Sequence, residues 1–245
     1  MKIELASNNY CDIILKDEQK RDILLILPGG GYAYTSEREA MPVANTFMTL
    51  DIHAAIFYYR ETKLLYPQIM DEAIELIKKL KALPQIKDII VIGFSAGGHY
   101  ASLMLTQLSD HFKKGLLIYP VISTLPEFAH IDSYEQLLGK KFDAKDIEKV
   151  SADHQIKENM PPIFLMHSID DSTVPVENSI DLMQALKDKG CYVEAHFYPT
   201  GGHGISIVTE EVCQDQEHIK EFMEKYGYIA SWVDLAKSFI KRDIS

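Results

Sequence analysis

Residues 89–99 read Ile-Ile-Val-Ile-Gly-Phe-Ser-Ala-Gly-Gly-His, IIVIGFSAGGH. A continuous β-branched run of this kind fits a short strand buried on both faces, as in a parallel sheet. The residues after Ser95, AGGHYASLMLTQL, carry helical patterning. Ser95 therefore stands where a strand turns into a helix, with Gly93 two places before it and Gly97 two places after. A sharp turn there lifts the serine side chain above the sheet and crowds its own flanks, so the flanking positions must be nearly free of side chain. At ordinary glycine and serine usage a chance G-x-S-x-G arises in roughly one chain in ten of this length. The surrounding chain decides between a packing turn and a presented nucleophile.

That surrounding chain alternates apolar runs with amphipathic stretches. IELA (3–6), CDIILKD (11–17), RDILLIL (21–27), HAAIFYYR (53–60), IIVIGF (89–94), KGLLIYPVI (114–122), PPIFLMHS (161–168) and YVEAHFYP (192–199) read as strands. Helices are expected at 66–83, with apolar residues at Ile69, Ala73, Leu76, Ile77 and Leu80, after Ser95, at 177–190 and at 228–242. This order predicts an α/β fold with a mainly parallel central sheet and helices on both faces. Residues 123–160 lose the pattern and read as a small insertion after the sixth strand, covering the active-site edge of a single domain spanning 1–245.

A serine hydroxyl is a weak nucleophile until a base removes its proton, and the oxyanion it creates needs waiting N–H donors. Ala96, directly after the serine, supplies one backbone donor. The run Leu27-Pro28-Gly29-Gly30-Gly31-Tyr32 follows a predicted strand and offers Gly30 and Gly31 as the others. Among nine histidines, His203 lies in a glycine-flanked loop, YPTGGHGIS, just beyond a strand end, which suits the base. His99 on the elbow helix reads as packed or substrate-adjacent, and His167 as structural. The loop after PPIFLMH holds two adjacent carboxylates, Asp170 and Asp171; one orients the histidine while the other pins the loop.

The chain carries 25 Lys+Arg against 36 Asp+Glu, a net charge of −11. That balance disfavours nucleic-acid and anionic-membrane partners. Three widely spaced cysteines, Cys11, Cys191 and Cys213, fit neither a metal site nor a disulfide framework. The opening residues lack an uninterrupted apolar core, and no apolar run is long enough to span a bilayer. The expected location is the cytoplasm.

With PGGGY, IGFSAGGHYAS, HSIDDSTVPVENS and FYPTGGHGIS in this order, the chain resembles the α/β-hydrolase superfamily, and within it the small acetyl-esterase and acetylxylan-esterase-like branch. In such proteins the acid stands four residues after the histidine of H-G-x-x-D-x-x-V-P, and that resemblance selects Asp171. It implies an α/β-hydrolase fold and a serine esterase with Ser95, Asp171 and His203 as triad. Gly30, Gly31 and Ala96 then form the oxyanion hole, and Tyr32, Tyr34, Arg38 and Glu39 are placed to contact the alcohol. The substrate implied is a small acyl ester, acetylated sugars included, with no metal or organic cofactor. Pro28 stands where lipase-like relatives carry histidine, and Ser168 replaces the usual glycine. A prolyl-peptidase relationship is not expected, since such relatives carry a large additional domain. Two other readings use the same residues: a non-catalytic binding protein of this fold, and a peptidase or amidase.

Overall fold

A computed structural model describes residues 1–244. Eight strands form one sheet: β1 (Lys2–Glu4), β2 (Tyr10–Ile14), β3 (Arg21–Leu27), β4 (His53–Tyr58), β5 (Ile86–Phe94), β6 (Phe112–Ile118), β7 (Ile163–Ser168) and β8 (Val193–Tyr198). Their order is β1-β2-β4-β3-β5-β6-β7-β8. β1 pairs antiparallel with β2, and β2 with β4. Every pairing from β4 onward is parallel.

The central strands are apolar throughout because both of their faces are covered. Ile89 and Val91 of β5 join one core, together with Ile23 and Leu25 of β3 and Ile163 and Leu165 of β7. Ile90, Ile92 and Phe94 turn to the other core, with Leu24, Ile26, Phe164 and Met166. The first core is roofed by α2 (Gln68–Lys81), α3 (Ala96–Gln107) and α6 (Glu177–Asp188). The second is roofed by α1 (Met41–Phe47) and α8 (Ser231–Lys241), whose Trp232 is fully buried.

From β3 the chain passes outward to β4 and then crosses back to β5, on the other side of β3. This reversal opens a crevice at the carboxyl ends of β3 and β5, where ligands bind in such sheets. The register pairs Leu27 with Gly93, so the glycine loop after β3 emerges directly beside Ser95.

The segment 123–160 folds into two short helices, α4 (Ile131–Leu138) and α5 (Ala144–Val150). Side-chain hydrogen bonds from α6 and from its own α4 moor it. Asn178 accepts the N–H groups of Ile122 (2.8 Å) and Ser123 (2.7 Å) and donates to the Phe128 carbonyl at 3.0 Å. The Tyr134 hydroxyl donates to the carbonyls of Ile122 and Ser123. A further helix, α7 (Ile219–Tyr226), precedes α8. Neither α1 nor α7 was expected from sequence patterning. Two strands end earlier than their apolar runs. β4 stops at Tyr58, and β6 stops at Ile118, where Tyr119 turns to a φ of +38°.

Candidate active site

Ser95 has φ +53° and ψ −120°, a conformation that strains any residue with a side chain. Its backbone is held on both sides. The N–H donates to the Ile118 carbonyl at 3.0 Å, and the carbonyl accepts from His99 (3.0 Å) and Val121 (3.1 Å). The flanking glycines are sterically required. A Cβ on Gly93 would strike the Gly97 carbonyl and stand 2.8 Å from the Ala101 methyl, and one on Gly97 would strike the carbonyls of Leu27 and Pro28.

Three loops from separate strands converge here. The Ser95 Oγ lies 2.8 Å from His203 Nε2, and His203 Nδ1 lies 2.7 Å from Asp171 Oδ2. An ionised carboxylate only accepts, so Nδ1 carries the proton and Nε2 is left to accept from the serine hydroxyl. His203 reaches back to Ser95 past β7 and β6, and the Tyr119 ring at the end of β6 packs against it edge to face, with centroids 5.2 Å apart.

Asp171 is buried. Burial pushes its carboxyl up, but hydrogen bonds from His167 and His203 and from the Val174 N–H outweigh this and hold it well below the usual carboxylate range. Its Oδ1 accepts the N–H groups of Thr173 (3.0 Å) and Val174 (2.9 Å). His167 is fully buried, with Nε2 donating to the Val174 carbonyl (2.9 Å) and lying 3.3 Å from Asp171 Oδ2. The neighbouring Asp170 is exposed and accepts the Gly202 N–H at 2.8 Å, which pins the loop carrying His203. Ser168, where a glycine is usual, is matched by Gly201, at which any Cβ would collide with the Ser168 hydroxyl.

Among the described residues, the N–H groups of Gly30, Gly31 and Ala96 donate to no protein acceptor. Gly29 is different, since its N–H donates to Glu39 Oε2 at 2.7 Å. Gly30 adopts φ +123° and Gly31 φ +61°, conformations that favour glycine. At Gly30 a side chain would also collide with the Tyr34 backbone.

The residues after the glycine loop separate into different roles. Tyr34 is exposed and lines the cleft above Ser95. Tyr32 does not contact that cleft: it is fully buried, and its hydroxyl donates to His99 Nδ1 at 2.8 Å. The expectation of a substrate contact at Tyr32 is corrected accordingly, because φ +57° turns its ring inward against Tyr59 and Tyr100. Glu39 is also buried. Its Oε1 accepts from the Tyr119 hydroxyl at 2.6 Å, and that hydroxyl accepts the Ser206 N–H at 3.0 Å. One chain of hydrogen bonds thus joins the glycine loop to the loop after His203. Arg38 lines the cleft, and its guanidinium donates to the carbonyls of Val212 (2.7 Å) and Gly204 (2.6 Å) rather than pairing with Glu39.

His99 is fully enclosed, with Nε2 donating to the Val150 carbonyl at 2.8 Å, and burial holds its imidazole down to about 4. An unfolded chain takes up this proton near pH 6.5, whereas the folded protein resists it. The contribution is therefore complete above that pH and is lost as pH falls through the window between the two values. Between pH 7 and pH 5 this costs about 2 kcal/mol of stability. Urea midpoints at the two pH values should show that loss in the wild type, and a smaller one by about that amount in His99→Gln.

The cleft above Ser95 encloses about 440 Å³ and is bounded by Gly30, Gly31, Tyr34 and His203 on one side. His130, Asp132, Glu135 and Gln136 of the 123–160 segment bound the other. A second hollow of about 310 Å³ continues past His203 toward Phe222 and Tyr226 of α7. Sequence reasoning missed His130, which sits in polar sequence without periodicity. Burial first, and the nearby His203 second, lower its imidazole below the ordinary histidine value.

The fold and this elbow define an α/β hydrolase. The model of the prolyl oligopeptidase family matches residues 58–228, and the chain belongs to that family. The match lies within the strand–helix alternation from the end of β4 onward, so the expectation that set such relatives aside for want of an extra domain is corrected. An endo-1,4-beta-xylanase B of Butyrivibrio fibrisolvens is 30% identical over 217 residues, covering 80% of this chain and 34% of that protein. An acetylxylan esterase of Xylanibacter ruminicola is 33% identical over 135 residues, covering 53% of this chain and 28% of that protein. The chain thus spans about a third of the length of these curated relatives. The solved structure of an acetyl ester-xyloside bifunctional hydrolase from Caldicellulosiruptor lactoaceticus superposes with a TM-score of 0.76 at 32% identity, covering 92% of this chain and 89% of that one.

Proposed function

We propose that this chain is a serine carboxylic-ester hydrolase acting on small acyl esters, above all acetyl esters, including acetylated sugars such as xylo-oligosaccharides. The observation that carries this reading is the pair of hydrogen bonds linking Ser95, His203 and Asp171 beside three unengaged backbone donors. The names of the relatives, an acetylxylan esterase and an acetyl ester-xyloside hydrolase, support the acetyl and sugar halves.

Ser95 attacks the ester carbonyl as His203 Nε2 takes its proton, and Asp171 stabilises the imidazolium that forms. The N–H groups of Gly30, Gly31 and Ala96 receive the oxyanion. His203 then protonates the departing alcohol, and water resolves the acyl-enzyme by the same route. The whole chain works as one catalytic unit, with 123–160 covering the active-site edge. Among the described residues no helix is long and apolar enough to cross a membrane. With Cys11, Cys191 and Cys213 all free, we place the protein in the cytoplasm, with a small ester as partner and neither nucleic acid nor membrane.

The family's name favours a second reading, peptide-bond hydrolysis by the same residues. A panel of acetyl, butyryl and longer p-nitrophenyl esters, each paired with its anilide, separates the two. Ester turnover should be greatest for acetyl and exceed that of the matching anilide at least a hundredfold. Anilides cleaved as fast as esters would reverse the assignment.

A further inference from the structure

The wall of the cleft facing the glycine loop has no part in the chemistry above. It is built by the start of α4. His130 is the residue before the first turn, and its Nδ1 accepts the Ser133 N–H at 3.3 Å and lies 2.8 Å from the Ser133 hydroxyl. A backbone N–H can only donate, so Nδ1 is unprotonated and the neutral ring carries its proton on Nε2. Ser133 is itself buried, and its Oγ stands 3.9 Å from the place a Cβ on Gly31 would occupy. The His130–Ser133 pair is therefore packed beside the proposed oxyanion loop. Among the described residues, Nε2 has no partner, and His130 lines the same cleft as Ser95 and His203.

The next turn of α4 adds acceptors. Asp132, Glu135 and Gln136 are spaced i, i+3, i+4 and line the cleft from one helix face. Lys63 occupies the Gln136 Oε1 at 2.6 Å, which leaves the amide NH₂ free. Neither Asp132 nor Glu135 has a cationic partner among the described residues. An acetyl group needs little of a 440 Å³ space, and on the α4 side the remainder faces the His130 donor, the free Gln136 amide and two carboxylate acceptors. Arg38, its guanidinium held by the Val212 and Gly204 carbonyls, stands elsewhere on the lining. Such a wall suits vicinal hydroxyls and repels an anionic alcohol.

We propose that the α4 face is the subsite for a neutral polyhydroxylated alcohol, with His130 Nε2–H donating to a sugar oxygen next to the ester and Asp132 and Glu135 accepting from sugar hydroxyls. This rests on the esterase reading and goes beyond it by assigning the residues that select the alcohol. An asparagine amide overlays histidine Nδ1 and a glutamine amide overlays Nε2, so the two replacements separate the Ser133 contact from the cleft donor.

The experiment compares kcat/KM for acetylated methyl xyloside with that for p-nitrophenyl acetate in wild type, His130→Asn and His130→Gln. The xyloside-to-aryl ratio should fall about tenfold in His130→Asn, the worth of one hydrogen bond, mainly through KM. Glutamine should restore it to within about threefold of wild type. A ratio unmoved by asparagine, or lowered equally by both replacements, overturns the subsite. Wild type that cleaves neither ester overturns the esterase reading, and the subsite with it. Charge supplies a second readout should the His130 variants fail to fold. In Asp132→Asn/Glu135→Gln, discrimination against an acetylated methyl glucuronoside relative to the neutral xyloside should relax about fivefold or more; unchanged discrimination overturns the proposal.

Discussion

Replacing Ser95 with alanine should lower kcat for p-nitrophenyl acetate by about 10⁴-fold or more while leaving the protein folded. The two halves of that expectation have different origins. In the proposed mechanism the Ser95 side chain supplies the attacking oxygen, so its loss removes the covalent route entirely. What remains is binding and the N–H donors of Gly30, Gly31 and Ala96, which sustain only slow attack by water. Folding should survive because alanine meets the same strain as serine at φ +53°, and because the elbow is held by backbone hydrogen bonds to Ile118, His99 and Val121. Stopped-flow traces should show no burst of p-nitrophenol, and a fluorophosphonate probe should leave the variant unlabelled. Turnover close to that of wild type, from a correctly folded variant, would remove Ser95 from the mechanism.

Asp171→Asn should be nearly as damaging, with kcat down about 10⁴-fold, but it should also weaken the fold. Every lone pair on Asp171 that the structure uses receives an N–H: Oδ1 from Thr173 and Val174, Oδ2 from His203, with His167 close by. An asparagine must place its NH₂ toward one of these two sets. Facing His203, it opposes the Nδ1 proton and favours the tautomer that cannot accept from Ser95. Facing the backbone, it leaves buried donors confronting one another. The first arrangement costs the productive tautomer and turns the amide against His167 Nε2–H, and the second leaves buried donors unsatisfied, a cost of about 1–3 kcal/mol. Paired kinetics and urea denaturation should register both losses. Asn at full activity would mean that the carboxylate's charge is not what orients His203.

Legibility in the sequence followed burial and local chemistry. β3, β5, β6 and β7 announce themselves as apolar runs because both faces are covered, and α2 and α3 are long enough to show their period. The elbow was readable because Gly93, Ser95 and Gly97 sit within five residues between an apolar run and a helical pattern. The crowding that requires Gly97, however, comes from the Leu27 and Pro28 carbonyls of a neighbouring strand end. Loop chemistry and chain order pointed to Ser95, His203 and one of Asp170 and Asp171, and the family resemblance selected Asp171. In the structure His203 lies within hydrogen-bond distance of both Ser95 and Asp171. α1, α4, α5 and α7 span 7 or 8 residues each, about two turns, too few to establish a period. Tyr32 and Tyr34 are equally polar-tipped aromatics in one loop, and only the backbone at Tyr32 decides that one ring turns inward. Glu39 and His130 owe their positions to partners far away in sequence or to a helix with no advance signal, so composition could not place them.

The moorings of the 123–160 segment carry a consequence for anyone who would exchange it. Its backbone carbonyls and amides complete the needs of side chains it does not contain: Val150 satisfies the enclosed imidazole of His99, while Ser123 and Phe128, with Ile122 just before the segment, satisfy the amide of Asn178. A cap transplanted from another hydrolase must bring main-chain groups to those same points, or the host must give up His99, its partner Tyr32 and Asn178 together. In this scaffold the exchangeable module is the cap plus the helix residues it leans on, and a chimera cut at the loop ends alone is cut in the wrong place.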